Sequence, residues 1–530
     1  MRSIVFLVIF HVAMLFAVPS WAATYYIDIT AGDDTRTSTQ AQSKSTPWKH
    51  LRCMVSVTPG SAAATYTPMA GDVFVLKGGE TWGTTNFPCK WQWNGTSAVN
   101  QITVTTDSTW FTGASWTRPI WNGQDTPQPF TYFSGLTANV MLYCDFLNTS
   151  CDYSTFSNIE VTGFAWSTAT TWCAVIFGAG ATNWTIDQFY IHRWSHAGAT
   201  ADCNILLGES GGNQARGNTF QNGIIDGSDQ IGSASGGNYL WPIYINSYFS
   251  DISGGFLTKG NAVVRGNTFL RCTHSAIELL SHPNFLESLG FTPTTAHTIY
   301  VSHNYFSLGG AGGTGSGCET AFIGNPGETA YLWNNVWVDM PGAFPELTQN
   351  GGVGAACHPA CAGVAAYFWN NTFYSALPTA SYCIRNGHAG EGLYTRIEFL
   401  NNHCIAGAGI LDPALETVTL VGTPNYWHTT VVSANADGYT SSQTYKYAPT
   451  SALSPTVTTA GTNLSSLCTG NFVSLCTDTT YGVTVNTANH TVTPARTAVA
   501  RPSVGAWNIG AYQLSGDTLA PAAPTNLRIQ

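Results

Sequence analysis

The chain has 530 residues, of which only 9% are charged, with 54 glycines and a formal net charge of −10. That acidic balance argues against nucleic acid as a partner, because nucleic acid selects for basic surfaces. Scarce charge with abundant Gly, Ser, Thr and Asn is poor in helix formers and suits a β-rich extracellular protein; an acidic polysaccharide would need local cations.

Residues 1–22 read as an export signal, with Arg2 as the positive start, an apolar run from Ile4 to Val18, and Ser20-Trp21-Ala22 as a small-x-small cleavage site. No later stretch approaches a membrane span, so a secreted product, extracellular or periplasmic, is expected. All 14 cysteines follow the signal, an even number suited to an oxidising compartment. Local spacing suggests pairs between Cys144 and Cys151, Cys357 and Cys361, and Cys468 and Cys476. Cys173 and Cys203 fall 14 and 15 residues before their repeat positions and are placed to bridge adjacent turns. The spacings match no standard zinc pattern.

Residues 23–118 are expected to form an N-terminal cap and first strands. They contain Tyr25-Tyr26-Ile27-Asp28, Ser45-Thr46-Pro47-Trp48, and Ala70-Gly71-Asp72 leading into Val73-Phe74-Val75-Leu76. Residues 119–425 are repetitive. An asparagine followed two positions later by a bulky residue recurs at Asn218, Asn246, Asn267, Asn304, Asn335, Asn371 and Asn402, with weaker copies at Asn158 and Asp187. The steps are 29, 31, 28, 21, 37, 31, 36 and 31 residues, the signature of a solenoid. A β-propeller would need regular steps of roughly 40–50 residues. Asparagine suits the turns, since it tolerates left-handed backbone and its amide can bond to its copy one rung away. Residues 426–516, with Arg501-Pro502 and Trp507-Asn508-Ile509-Gly510-Ala511-Tyr512, are expected to be a C-terminal cap, and 517–530 a flexible Pro-rich tail.

The tyrosine-rich opening, the Gly-Asp segments, the Thr-Pro-Trp turn and the Ile-Gly-Ala-Tyr ending resemble secreted bacterial proteins of the right-handed parallel β-helix, or pectin-lyase-like, superfamily. The resemblance implies an all-β fold: a right-handed parallel β-helix, a single-stranded solenoid with caps at both ends.

Chemistry on such a scaffold comes from columns of side chains on successive rungs. Thirteen to 15 residues after the repeat positions stand Asp202, Lys259, His282, Glu319, Asn350 and Arg385, a polar series where an inward stack would be apolar. Lys259 is the only lysine between Lys90 and Lys446. The run Leu257-Thr258-Lys259-Gly260-Asn261, Asn267-Thr268-Phe269 and Leu280-Ser281-His282 resembles the alginate lyase and chondroitinase B family. That likeness implies Lys259 as catalytic base and His282 beside it. Arg271 and Arg385 are further catalytic candidates, and His274, Glu278, Glu319 and Asn350 candidates for substrate binding. Ser281 and Pro283 stand where that family carries Arg and Gly. β-Elimination from a uronic acid needs a base at the C5 proton and a cation, Arg or Ca2+, on the carboxylate.

A hydrolase would need two carboxylates, for which Asp226, Asp229 and Asp251 are the candidates. The 18 tryptophans suit either packing or sugar stacking. The expected function is cleavage or binding of an extracellular polysaccharide by a monomer, most concretely lyase-type cleavage of an acidic glycan. The alternative is a non-catalytic glycan-binding surface protein.

Overall fold

The computed structural model describes residues 22–125 continuously, then strands and tight turns in blocks as far as residue 514. The longest stretches outside the described residues are 1–21, 207–216, 233–261, 280–297, 308–318, 349–364 and 515–530. Among the described residues, strands stack into a 12-stranded and an 11-stranded sheet, both parallel, in chain order from one end to the other. A third face carries two five-stranded sheets, parallel apart from Pro129–Tyr132 against Leu136–Cys144. The chain is therefore a parallel β-helix. No helix among the described residues is long and apolar enough to cross a membrane.

The rungs are set by a two-residue corner between the two long sheets. Its first residue is left-handed at Asn158, Gln188, Asn222, Gly266, His303, Asn334, Asn370 and Asn401. From the fourth of these onward its second residue is Asn267, Asn304, Asn335, Asn371 or Asn402, all fully buried. Each of these amides accepts from the backbone N–H of its predecessor and donates to a carbonyl of the rung below, as Asn335 Nδ2 does to Val301 O at 2.9 Å. This is the amide ladder expected from the repeat. Beside it runs an inward aromatic stack, Phe269–Phe306–Trp337–Phe373, with ring centroids 4.7–5.1 Å apart and planes within 10°. Each such pair contributes about 0.5–1.5 kcal/mol beyond its buried area.

One repeat position needs correction. Asn218 is not a corner: it lies in the strand Asn218–Gln221, where its Oδ1 accepts from Trp184 N at 2.9 Å. The corner of that rung is Asn222-Gly223, and Gly223 N donates to Asn267 Oδ1. Strand Asn218–Gln221 then pairs directly with Ala262–Arg265, and Asn246 lies outside the described residues. Asn218 matched the motif because Asn-x-bulky also occurs within strands, where alternation alone places bulky residues two apart.

The opening motifs are structural. Asp72 accepts from Ala23 N, Met69 N and the Tyr66 hydroxyl, and Asp28 binds the Lys77 ammonium at 2.8 Å. Disulfides Cys144–Cys151 and Cys468–Cys476 form as the spacing suggests. Cys53–Cys89, 36 residues apart, joins the cap to the third face and had no local signal. Cys173 and Cys203 are backbone partners on adjacent strands, while Cys357 and Cys361 lie outside the described residues. At the other end, described residues between 431 and 512 fold back over the 11-stranded sheet. Ala434, Tyr439, Tyr447, Ala448, Ile509 and Tyr512 cover Leu270, Tyr305, Val336, Val338, Tyr374 and Ile405. Phe472 packs on the 12-stranded sheet against Tyr331 at 4.8 Å, within an external stack Tyr300–Tyr331–Tyr367.

Candidate functional site

On the 11-stranded sheet the inward residue of each strand is apolar, from Trp121 through Val161, Ile191 and Ile225 to Phe269. The residues flanking it face outward. From Leu270 onward those outward positions are largely apolar and take the C-terminal cap. The earlier rungs, at 120–122, 160–162, 190–192 and 224–226, carry Glu160, Thr162, Tyr190, His192 and Asp226 instead.

Within this patch His192 Nε2 lies 3.1 Å from Glu160 Oε1. The Tyr190 ring stacks on the imidazole at 4.1 Å. His192 and Asp226 are register partners on successive rungs, and Asp226 is 2% exposed. Arg118, just ahead of the strand Ile120–Asn122, donates from Nε to Gln188 O at 3.3 Å and lies 6.0 Å from the Trp116 ring. Burial lowers its pKa, and the Glu160 carboxylate pulls it back up. An arginine stays charged through any such shift. On the rim Arg193 pairs with Asp125 at 3.0 Å. Gly163 closes the rung at φ +65°, where a Cβ would lie 2.4 Å from Asn122 Oδ1.

The chemistry of the patch follows from its partners. An ionised Glu160 accepts the Nε2 proton of His192, which makes Nδ1 the basic ring nitrogen. Arg118 holds a permanent cation beside the pair, in a setting that strengthens charge interactions relative to water. Glu160, Tyr190 and His192 keep 7–9% of their surface exposed, so each presents an edge to a ligand on the outer wall. Calcium takes six to eight oxygen ligands. Among the described residues no group of three or more His, Cys, Asp or Glu is disposed to hold a metal.

Of the residues singled out from sequence, Lys259, Arg271, His274, His282 and Asn350 lie outside the described residues, as do Asp202, Asp229 and Asp251. Glu278, Glu319 and Arg385 lie on one five-stranded sheet. Backbone register runs Glu278–Ala321–Glu346–Arg385, so Glu278 and Arg385 share a column, with Glu346 an unanticipated member. Glu319 pairs with Ser275 and is outside that column. The spacing that put Lys259 in the same series rested on Asn246, which also lies outside the described residues. Glu160, His192, Tyr190 and Arg118 were missed, and Asp226 was noted only as a hydrolase or turn residue. The signal was present: counted four residues past the left-handed corner, the chain reads Thr162, His192, Asp226 and then Leu270.

No family model and no curated protein matches the sequence. Among solved structures the chain is similar to a pectate lyase, Pel9A, at 13% identity over 93% of this chain and 98% of that one, with a TM-score of 0.48. It is similar to a rhamnogalacturonan lyase at 13% identity over 82% and 95%, TM-score 0.46. It is also similar to an alginate lyase from Paenibacillus sp. str. FPU-7 at 15% identity over 67% and 92%, TM-score 0.38. The parallel β-helix itself stands on the chain's own stacked sheets.

Proposed function

We propose that the chain is a secreted carbohydrate-active protein that cleaves an acidic extracellular polysaccharide by β-elimination at the Arg118–Glu160–Tyr190–His192 patch. The observation that carries the reading is the Glu160–His192 pair at 3.1 Å on the outward face, with Arg118 beside it. Arg118 neutralises the uronate carboxylate and so acidifies the C5 proton. His192 Nδ1 takes that proton, while Glu160 stabilises the resulting imidazolium. The C5–H electrons form the C4–C5 double bond, the C4–O4 bond breaks, and the Tyr190 hydroxyl protonates the departing oxygen. Arg118 also supplies the local cation that a chain of net charge −10 requires for an acidic glycan.

Incubation with alginate, pectate and glycosaminoglycans, with and without calcium, tests this through absorbance of the unsaturated uronate product. His192→Gln is expected to lower turnover by about 10²–10⁴-fold at unchanged thermal midpoint, as removal of a general base does. Loss of turnover in Lys259→Ala with His192→Gln unaffected would move the chemistry to the lysine implied by the sequence likeness. Register adjacency of His192 and Asp226 favours a second reading, hydrolysis by a Glu160–Asp226 pair. It would release reducing ends without the absorbance. Sugar binding with no turnover on any substrate would leave the non-catalytic scaffold.

A further inference from the structure

The described disulfides Cys53–Cys89, Cys144–Cys151 and Cys468–Cys476 require an oxidising compartment. Against that background Cys383 and Cys404 stand as thiols. Cys383 lies in the strand Tyr382–Asn386 on the third face, and Cys404 in His403–Ile405 of the 11-stranded sheet. Both are fully buried in the central core, among Ile384, Ile397, Phe373 and Phe399. They sit on successive rungs, since Cys404 is the register partner of Phe373, whose rung runs on to Cys383. Both side chains enter the same interior cluster, near enough for each thiol to bear on the other's ionisation.

We propose that Cys383 and Cys404 are joined by a disulfide in the exported protein, a buried staple between the last rungs of the solenoid. One thiolate attacks a disulfide-bearing oxidant, such as a thiol–disulfide oxidoreductase, and releases one of its sulfurs. The second cysteine then attacks the mixed disulfide. Two electrons and two protons leave the pair, and the oxidant departs as a dithiol. In the finished fold neither sulfur is exposed, and burial pushes the Cys404 thiol well above its ordinary pKa. The bond must therefore form before the last rungs close.

The full chain secreted into an oxidising compartment is denatured, alkylated without reduction, digested and analysed by mass spectrometry. The expected result is a cross-linked Cys383–Cys404 peptide lighter by two hydrogens than the dithiol, with neither residue alkylated. In Cys404→Ser, Cys383 becomes alkylated. Alkylation of both residues in the wild type, with the other three pairs intact, overturns the staple and leaves the export reading standing. Alkylation of every cysteine overturns both. The same chain folded in a reducing compartment and then exposed to oxidised glutathione should keep both thiols; rapid bonding there would overturn the order of events.

Discussion

Asn371→Ala is expected to cost the protein about 3–5 kcal/mol, close to the upper limit for a single substitution. The side chain is fully buried and spends all of its hydrogen-bonding capacity on the ladder. Its Oδ1 accepts from Asn335 N and Nδ2 at 3.0 and 3.1 Å, and its Nδ2 donates to Leu332 O and Asn402 Oδ1, both at 2.9 Å. Truncation leaves the Asn335 N–H and the Leu332 carbonyl buried without these partners, at about 1–3 kcal/mol each, and adds a small cavity. Asn425 ends the ladder and is only partly buried. Its alanine variant should cost markedly less because water can replace the lost partner. Urea unfolding of the two variants checks the gradient. A loss below 1 kcal/mol at Asn371, or equal losses at both sites, would remove the ladder as the source of rung stability.

Acid is expected to loosen the C-terminal cap. Three imidazoles join the last rungs to it. His303 Nε2 donates to Thr477 O at 3.0 Å, and burial lowers its pKa to about 4. His403 and His428 form a chain with Asp437. His428 Nε2 donates to the Asp437 carboxylate at 2.8 Å, so its Nδ1 accepts from His403 Nε2 at 2.7 Å. That leaves His403 Nδ1 buried and without a partner. Burial holds both pKa values down, most strongly at His403, where the His428 charge adds to it, whereas the Asp437 carboxylate opposes it at His428. A proton added to either ring must sit on the partnerless His403 nitrogen or between two donors.

Folded pKa values below the unfolded value mean that the unfolded chain binds more protons. The stabilisation is therefore complete above about pH 6.5 and is lost as the pH falls. Each imidazole kept neutral contributes about 1.4 kcal/mol per pH unit, so His303 alone accounts for about 3 kcal/mol by pH 4. The Asp437 pKa is held down chiefly by its bond to His428, and this adds a further loss at lower pH. Asp478 titrates in the opposite sense, because burial raises its pKa against the pull of Arg496 and Arg501. It is one carboxyl against three imidazoles. Hydrogen exchange of residues 426–512 from pH 7.5 to 4.5 reads the effect directly; unchanged protection over that range would refute it.

The fold was legible because a solenoid repeats its turn chemistry locally. Asn267, Asn304, Asn335, Asn371 and Asn402 each need an amide to bond the next rung, and that need recurs in the sequence whatever the loops between do. Register was less legible. Asn218 satisfies the same three-residue pattern from inside a strand, and the long rung between Asn222 and Gly266 offers no marker of its true length. Taking Asn218 for the corner at Asn222, a slip of four residues, was enough to hide the His192–Asp226 column.

What the amino-acid order determined by itself is the parallel coil, its turn residues, two of its disulfides and the polar character of particular outward positions, all consequences of short-range alternation and turn propensity. What only the tertiary structure decided is which of those positions meet. Glu160 and His192 are 32 residues apart in the chain and 3.1 Å apart in space. Cys383 and Cys404 enter one core cluster from different faces. Such meetings depend on the length of each rung, which is set by loops whose residues leave no periodic trace, so the pairing follows from the wound chain and from no local pattern.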